Sequence, residues 1–164
     1  MHSLPGKVIM FCGTHRGEAS DCVEWALEAL CQGYDSPSLR ILAGLIPPFT
    51  TFEVRDYATK ALRELDISIP VGAAAISAYA KDLVLDIVVQ PSLMQGSLRL
   101  LCDLCIAEDY QQDIYDFYLL RWAYDDLQQE PVQWYWNGAD RSNIHQIILE
   151  RCHAWLVEHN AKAT

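Results

Sequence analysis

The 164-residue sequence has no long unbroken apolar run, no basic stripe, no Gly/Ser-rich linker and no low-complexity tract. Each absence excludes something. The most apolar stretch, residues 71–89, is interrupted by Lys81, Asp82 and Asp86. It reads as a buried helix, because a membrane span needs about 20 apolar residues in succession. Twelve bases stand against twenty-two acids, for a formal net charge of -10 and a pI near 4.7. That field repels phosphate backbones, so nucleic-acid binding is not expected, and it favours a basic partner. Only residues 8–12 separate Lys7 from Gly13, too short a core for an export signal. Six cysteines without such a signal read as reduced thiols in a cytoplasm.

What the sequence does contain is helical punctuation. With 51% apolar residues and a mean hydropathy of +0.02, a chain of this length can bury a core without disulfides or a metal. Residues 7–11 form a short apolar run that reads as a strand, followed by a Gly-flanked loop at 12–17. Asp21 with Glu24 resembles a capping box opening a first helix, which Gly33 stops. Ser36-Pro37 restarts a short helix, with Ser as N-cap and Pro at its first position. Pro47-Pro48 ends it. Thr50 with Glu53 opens a third helix, whose Val54, Tyr57, Ala58, Ala61, Leu62 and Leu65 form one apolar stripe.

Further helices are expected over 70–90, 93–107 and 112–128, and from Asp140 or Ser142 to about residue 158. A break at 131–138 holds Trp134-Tyr135-Trp136. The fold class is therefore all-α: about seven helices in a compact antiparallel array, with a short N-terminal strand as an option. Residues 1–19 read as an N-terminal segment, strand plus loop or poorly ordered, and 20–164 as one helical domain. A HEAT-like helical-repeat scaffold is the alternative, although no fixed-period self-similarity is visible.

Motifs for chemistry are sparse. Cys102 and Cys105 make a C-x-x-C, and Cys12 with His15 is the one other pair at ligand-like spacing. Cys102 and Cys105 lie inside a Leu-rich helical pattern, however, where cysteine serves as a small hydrophobe. Cys22, Cys31 and Cys152 get the same reading, and no metal or cofactor is expected. The loop carrying Cys12, His15 and Arg16 is the alternative, enzymatic candidate. There a thiolate would be stabilised by His15 or Arg16, with an anion held by Arg16 and free backbone N–H groups.

The densest pattern is at 108–136, where aromatics interleave with acids. Phe117, Leu120 and Tyr124 claim the core face of the helix. The expected partner-binding residues are Asp109, Asp113, Tyr115, Asp116, Tyr118, Trp122, Asp125, Asp126, Trp134 and Trp136. Rings supply anchoring area at low entropic cost, and carboxylates steer a basic protein partner. The leading expectation is a non-catalytic, acidic, helical protein-binding module. By analogy of size and charge it suits an immunity or antitoxin-like protein.

Overall fold

The structure, a computed structural model, describes residues 4–161. Eight helices account for it: α1 (Gly6–Gly13), α2 (Ala19–Cys31), α3 (Pro37–Ala43), α4 (Thr51–Glu64), α5 (Ala73–Val89), α6 (Met94–Ala107), α7 (Tyr115–Gln129) and α8 (Ile144–Ala161). No strand occurs among the described residues. The chain is all-α. It divides into two compact units, residues 1–82 and 83–164, with the divide inside α5.

In the first unit, the expected strand is helix α1; residues 1–3 of that N-terminal segment lie outside the described residues. A five-residue apolar run fits either period, so burial on several sides decides the matter. Val8, Ile9, Met10 and Phe11 are all buried, packed with α2 and α4. No local side chain caps α1. Its first N–H instead donates to the Asp82 carboxylate of α5, which also suits the positive end of the helix dipole.

α1 lies so close to its neighbours that both its glycines are required. A Cβ on Gly6 would sit 2.7 Å from the Ala78 carbonyl oxygen. One on Gly13 would sit 2.1 Å from the Pro70 carbonyl oxygen and 2.7 Å from the Ala75 Cβ. At the same point the Gly72 N–H donates to the Gly13 carbonyl at 3.0 Å.

Two expected capping boxes do not form. α2 begins at Ala19 behind Glu18, which places Asp21 in the first turn, where it takes an ion pair from Lys7 at 2.9 Å. Thr50 precedes α4 but its side chain caps nothing. Ser36 does behave as expected. Its hydroxyl accepts from the Leu39 N–H at 3.2 Å with Pro37 at the first helical position. The Glu64 carboxylate then takes the Ser38 N–H and hydroxyl, at 2.9 and 2.7 Å, fastening α4 to α3.

The second unit is built on α6, α7 and α8. Leu98, Leu101, Cys102 and Cys105 of α6 are buried, as expected of a helix in which cysteine fills core space. α7 turns Phe117, Leu120, Ala123 and Leu127 inward. Tyr124, expected in that set, is half-buried and meets the His145 ring edge-on at 5.5 Å. Trp155 anchors α8. It is 1% exposed, and its indole N–H donates to the Asp113 carbonyl at 2.9 Å.

Candidate functional site

The side chains of Cys12 and His15 are turned to different partners. Cys12 ends α1 half-buried, and its thiol bonds Thr59. His15 Nδ1 lies 3.1 Å from an Arg55 guanidinium nitrogen, and that guanidinium stacks on Phe11 at 4.8 Å. Arg16 is exposed. Burial pushes the Cys12 thiol above its ordinary value, outweighing the Thr59 hydrogen bond and the Arg55 charge. Because the thiolate is the nucleophile, burial suppresses the reactive form.

Cys31, expected in the core, is exposed at the end of α2. Reaction with a maleimide near neutral pH should therefore label Cys31 well ahead of Cys12. Cys152, pushed up to about 12 by burial, should be slower still. First labelling at Cys12, read by peptide mass mapping, would restore the case for a nucleophile there. No group of three or more potential metal ligands clusters among the described residues. No helix among them is long and apolar enough to cross a membrane.

On α7 the rings at 115, 118 and 122 recur at three- and four-residue steps and so share one side of the helix. Tyr115 stacks on Tyr118 with centroids 5.4 Å apart and planes 16° apart. Tyr118 meets Trp122 edge-on at 6.5 Å and bonds its side chain, and Trp122 meets Tyr135 at 6.3 Å. Tyr110 closes the other end, edge-on to Tyr118 at 5.5 Å. The result is a continuous row of rings in which Tyr110, Trp122 and Tyr135 are 45%, 37% and 42% exposed. The Tyr118 phenol is held above its ordinary value by burial, then by Tyr110, Cys102 and Tyr115. It stays a neutral hydroxyl.

Tyr110 reaches this row through a strained turn. Asp109 and Tyr110 both adopt positive φ, 54° and 57°, as the chain leaves α6. The Tyr110 N–H returns to the Cys105 carbonyl at 2.8 Å. Left-handed conformations are disfavoured for side chains of this size, and such residues concentrate at functional sites.

The loop beyond α7 is organised by one residue. Gln133 is buried and its amide is saturated. Nε2 donates to the Trp136 and Ala139 carbonyls at 2.6 and 3.0 Å, and Oε1 accepts the Tyr135 and Trp136 N–H groups, each at 2.8 Å. Arg141 then donates to the Leu127 carbonyl near the end of α7 at 2.8 Å. Held this way, Trp134 stands 89% exposed. Trp136 is half-buried.

The expected carboxylates fall into two groups. Asp113 faces His159 Nε2 at 2.9 Å, Asp116 takes the Arg151 guanidinium at 2.6 Å, and Asp125 pairs with Arg121 one turn back. The first two tie α8 to α7 and to the turn before it, and the third lies within α7. Asp109 and Asp126 make no ion pair among the described residues. Seven of the ten excess negative charges lie in residues 83–164, where twelve acids face five bases. Tyr110, Tyr135 and Gln133, which complete the site, carry no periodic signal that would have marked them in advance. No family model, no curated protein and no solved structure matches the chain.

Proposed function

We propose that the aromatic row of α7 and the Gln133 loop form a binding face for a basic protein partner, and that the protein acts by binding, not by catalysis. The observation that carries this reading is Trp134, 89% exposed on a loop locked by a saturated buried amide. Leaving a tryptophan in water forgoes the burial that usually stabilises it, and fixing the backbone beside it removes part of the ordering cost from association. A large ring on an ordered loop is an efficient anchor. The local excess of carboxylates supports a basic partner, attracted at long range and more weakly as salt rises. An immunity or antitoxin-like role, neutralising a basic toxin, fits the same features. The half-buried thiol of Cys12, held protonated, weighs against the enzymatic alternative.

The test compares the full chain with a Trp122→Ala/Trp134→Ala double variant as bait in host lysate, across a salt series. The wild type should retain a basic protein at low salt. The double variant should lose at least about 30-fold in affinity, since truncating one anchoring tryptophan alone costs about 2 kcal/mol or more. Far-UV circular dichroism should stay unchanged. Equal retention by both baits, or retention indifferent to salt, would overturn the reading.

A further inference from the structure

The row of rings on α7 contains its own example of how it treats a cation. The Arg121 guanidinium lies over the Trp122 ring at 5.1 Å and pairs with the Asp125 carboxylate. A planar cation is thus stacked on a ring while its N–H groups meet a carboxylate close by. Arginine suits this double contact better than lysine, because its fork is flat, delocalised and weakly hydrated.

Two further carboxylates stand near exposed rings of the row: Asp109 by Tyr110, and Asp126 by Trp122, which remains 37% exposed with Arg121 over it. Asp126 follows Trp122 by four residues on α7, so the two side chains share one side of the helix. Asp109 adjoins the exposed ring of Tyr110 in the strained turn. Neither carboxylate makes an ion pair among the described residues. From the Tyr110 ring through Tyr118 to Trp122, the centroid steps are 5.5 and 6.5 Å. The two ring and carboxylate pairs therefore lie no more than about 12 Å apart along the rings. In an extended chain, rising roughly 3.3 Å per residue with side chains alternating, positions i and i+4 fall on one side about 13 Å apart, a difference that the long, flexible arginine side chains span.

We propose that this face recognises an extended segment of the partner carrying two arginines four residues apart. One stacks at Tyr110 and pairs with Asp109; the other stacks at Trp122 and pairs with Asp126. The residue midway between them lies over Tyr118. This inference rests on the binding face proposed above and narrows it to a linear arginine motif. The charge complementarity is local: of the five aspartates expected at this face, the two that make no ion pair among the described residues adjoin exposed rings.

The experiment titrates synthetic heptapeptides into the full chain and follows tryptophan fluorescence and heteronuclear NMR shifts. The first peptide is Gly-Arg-Gly-Gly-Gly-Arg-Gly. The others replace both arginines with lysine, replace both with neutral citrulline, or place the two arginines side by side. The spaced arginine peptide should bind about tenfold more tightly than the lysine peptide, the scale of a stacked cation at a partly desolvated site. The adjacent-arginine peptide should be weaker and the citrulline peptide should not bind. Asp109→Asn and Asp126→Asn, which remove no internal ion pair, should each lower affinity several-fold and reduce the preference for arginine.

Equal affinity for the arginine and lysine peptides, no binding of the spaced peptide, or indifference to both Asp substitutions would overturn the inference. If a basic protein is still captured through Trp122 and Trp134 in that event, the binding face stands and only the arginine motif falls. If that capture is also absent, both fall. A neutral oligosaccharide that titrates where the spaced peptide does not would overturn both as well.

Discussion

Replacing Gly13 with alanine should destabilise the first unit by about 3 kcal/mol, the upper range for overpacking a site that cannot relax. The added Cβ would lie 2.1 Å from the Pro70 carbonyl oxygen, a backbone atom, and 2.7 Å from the Ala75 Cβ. No rotamer relieves contacts of that kind. Moving the 70–72 segment away would also stretch the hydrogen bond from the Gly72 N–H to the Gly13 carbonyl. Two controls separate this steric effect from conformational freedom. A Cβ at Gly33 meets nothing within 4 Å, but the residue sits at φ 91°, so Gly33→Ala should cost about 1 kcal/mol from backbone strain alone. A Cβ at Gly96, within α6, also meets nothing within 4 Å. Gly96→Ala should therefore stabilise by roughly 0.5–1 kcal/mol. Urea denaturation followed by far-UV circular dichroism orders the three. A Gly13→Ala midpoint no lower than that of Gly33→Ala would mean that α1 does not pack against 70–75 as described.

Trp155→Ala should be the most damaging single change in the second unit, at about 3–5 kcal/mol. The indole is 1% exposed and packs edge-on to Phe117 at 6.2 Å. It also stacks under the His159 ring with centroids 3.6 Å apart. Truncation leaves a cavity and removes the donor to the Asp113 carbonyl. It also takes away the ring on which His159 rests while reaching Asp113 through Nε2 and the Trp155 carbonyl through Nδ1. Trp155→Phe keeps much of the volume and loses chiefly the hydrogen bond, so about 1–2 kcal/mol is expected. The difference between the two variants in denaturant unfolding measures packing against the single bond. Near-equal losses would show that the indole N–H, and not the ring, holds α8 in place.

Local helix signals were legible in part: neither expected capping box forms, but other starts and spans were placed. The Ser36-Pro37 start of α3 and the 93–107 helix lie within a residue of α3 (Pro37–Ala43) and α6 (Met94–Ala107). α1 was not legible for two reasons. Its five apolar residues suit either backbone period, and its cap comes from Asp82, 76 positions away. The same distinction runs through the candidate site. The ring spacing of Tyr115, Tyr118 and Trp122 follows from helical geometry and could be read ahead. The sorting of the carboxylates could not, because Arg151 reaches Asp116 across 35 positions and His159 reaches Asp113 across 46. Tyr110 and Tyr135 joined the row through turn conformations, which residue type alone does not specify. Gln133 gave no sign at all, since a glutamine in a loop is ordinarily a solvated one.

On the proposed binding face, that glutamine bears on the kinetics of encounter as well as on shape. With both N–H groups and both carbonyl lone pairs of its amide engaged within the loop, the backbone beside Trp134 is already ordered. Little backbone rearrangement would then follow first contact, and capture of the proposed partner would proceed at a rate set by diffusion and the acidic field. Differences between competing partners fall on how long each remains bound. The side chain that sets this loop is itself buried and lies outside the proposed contact surface.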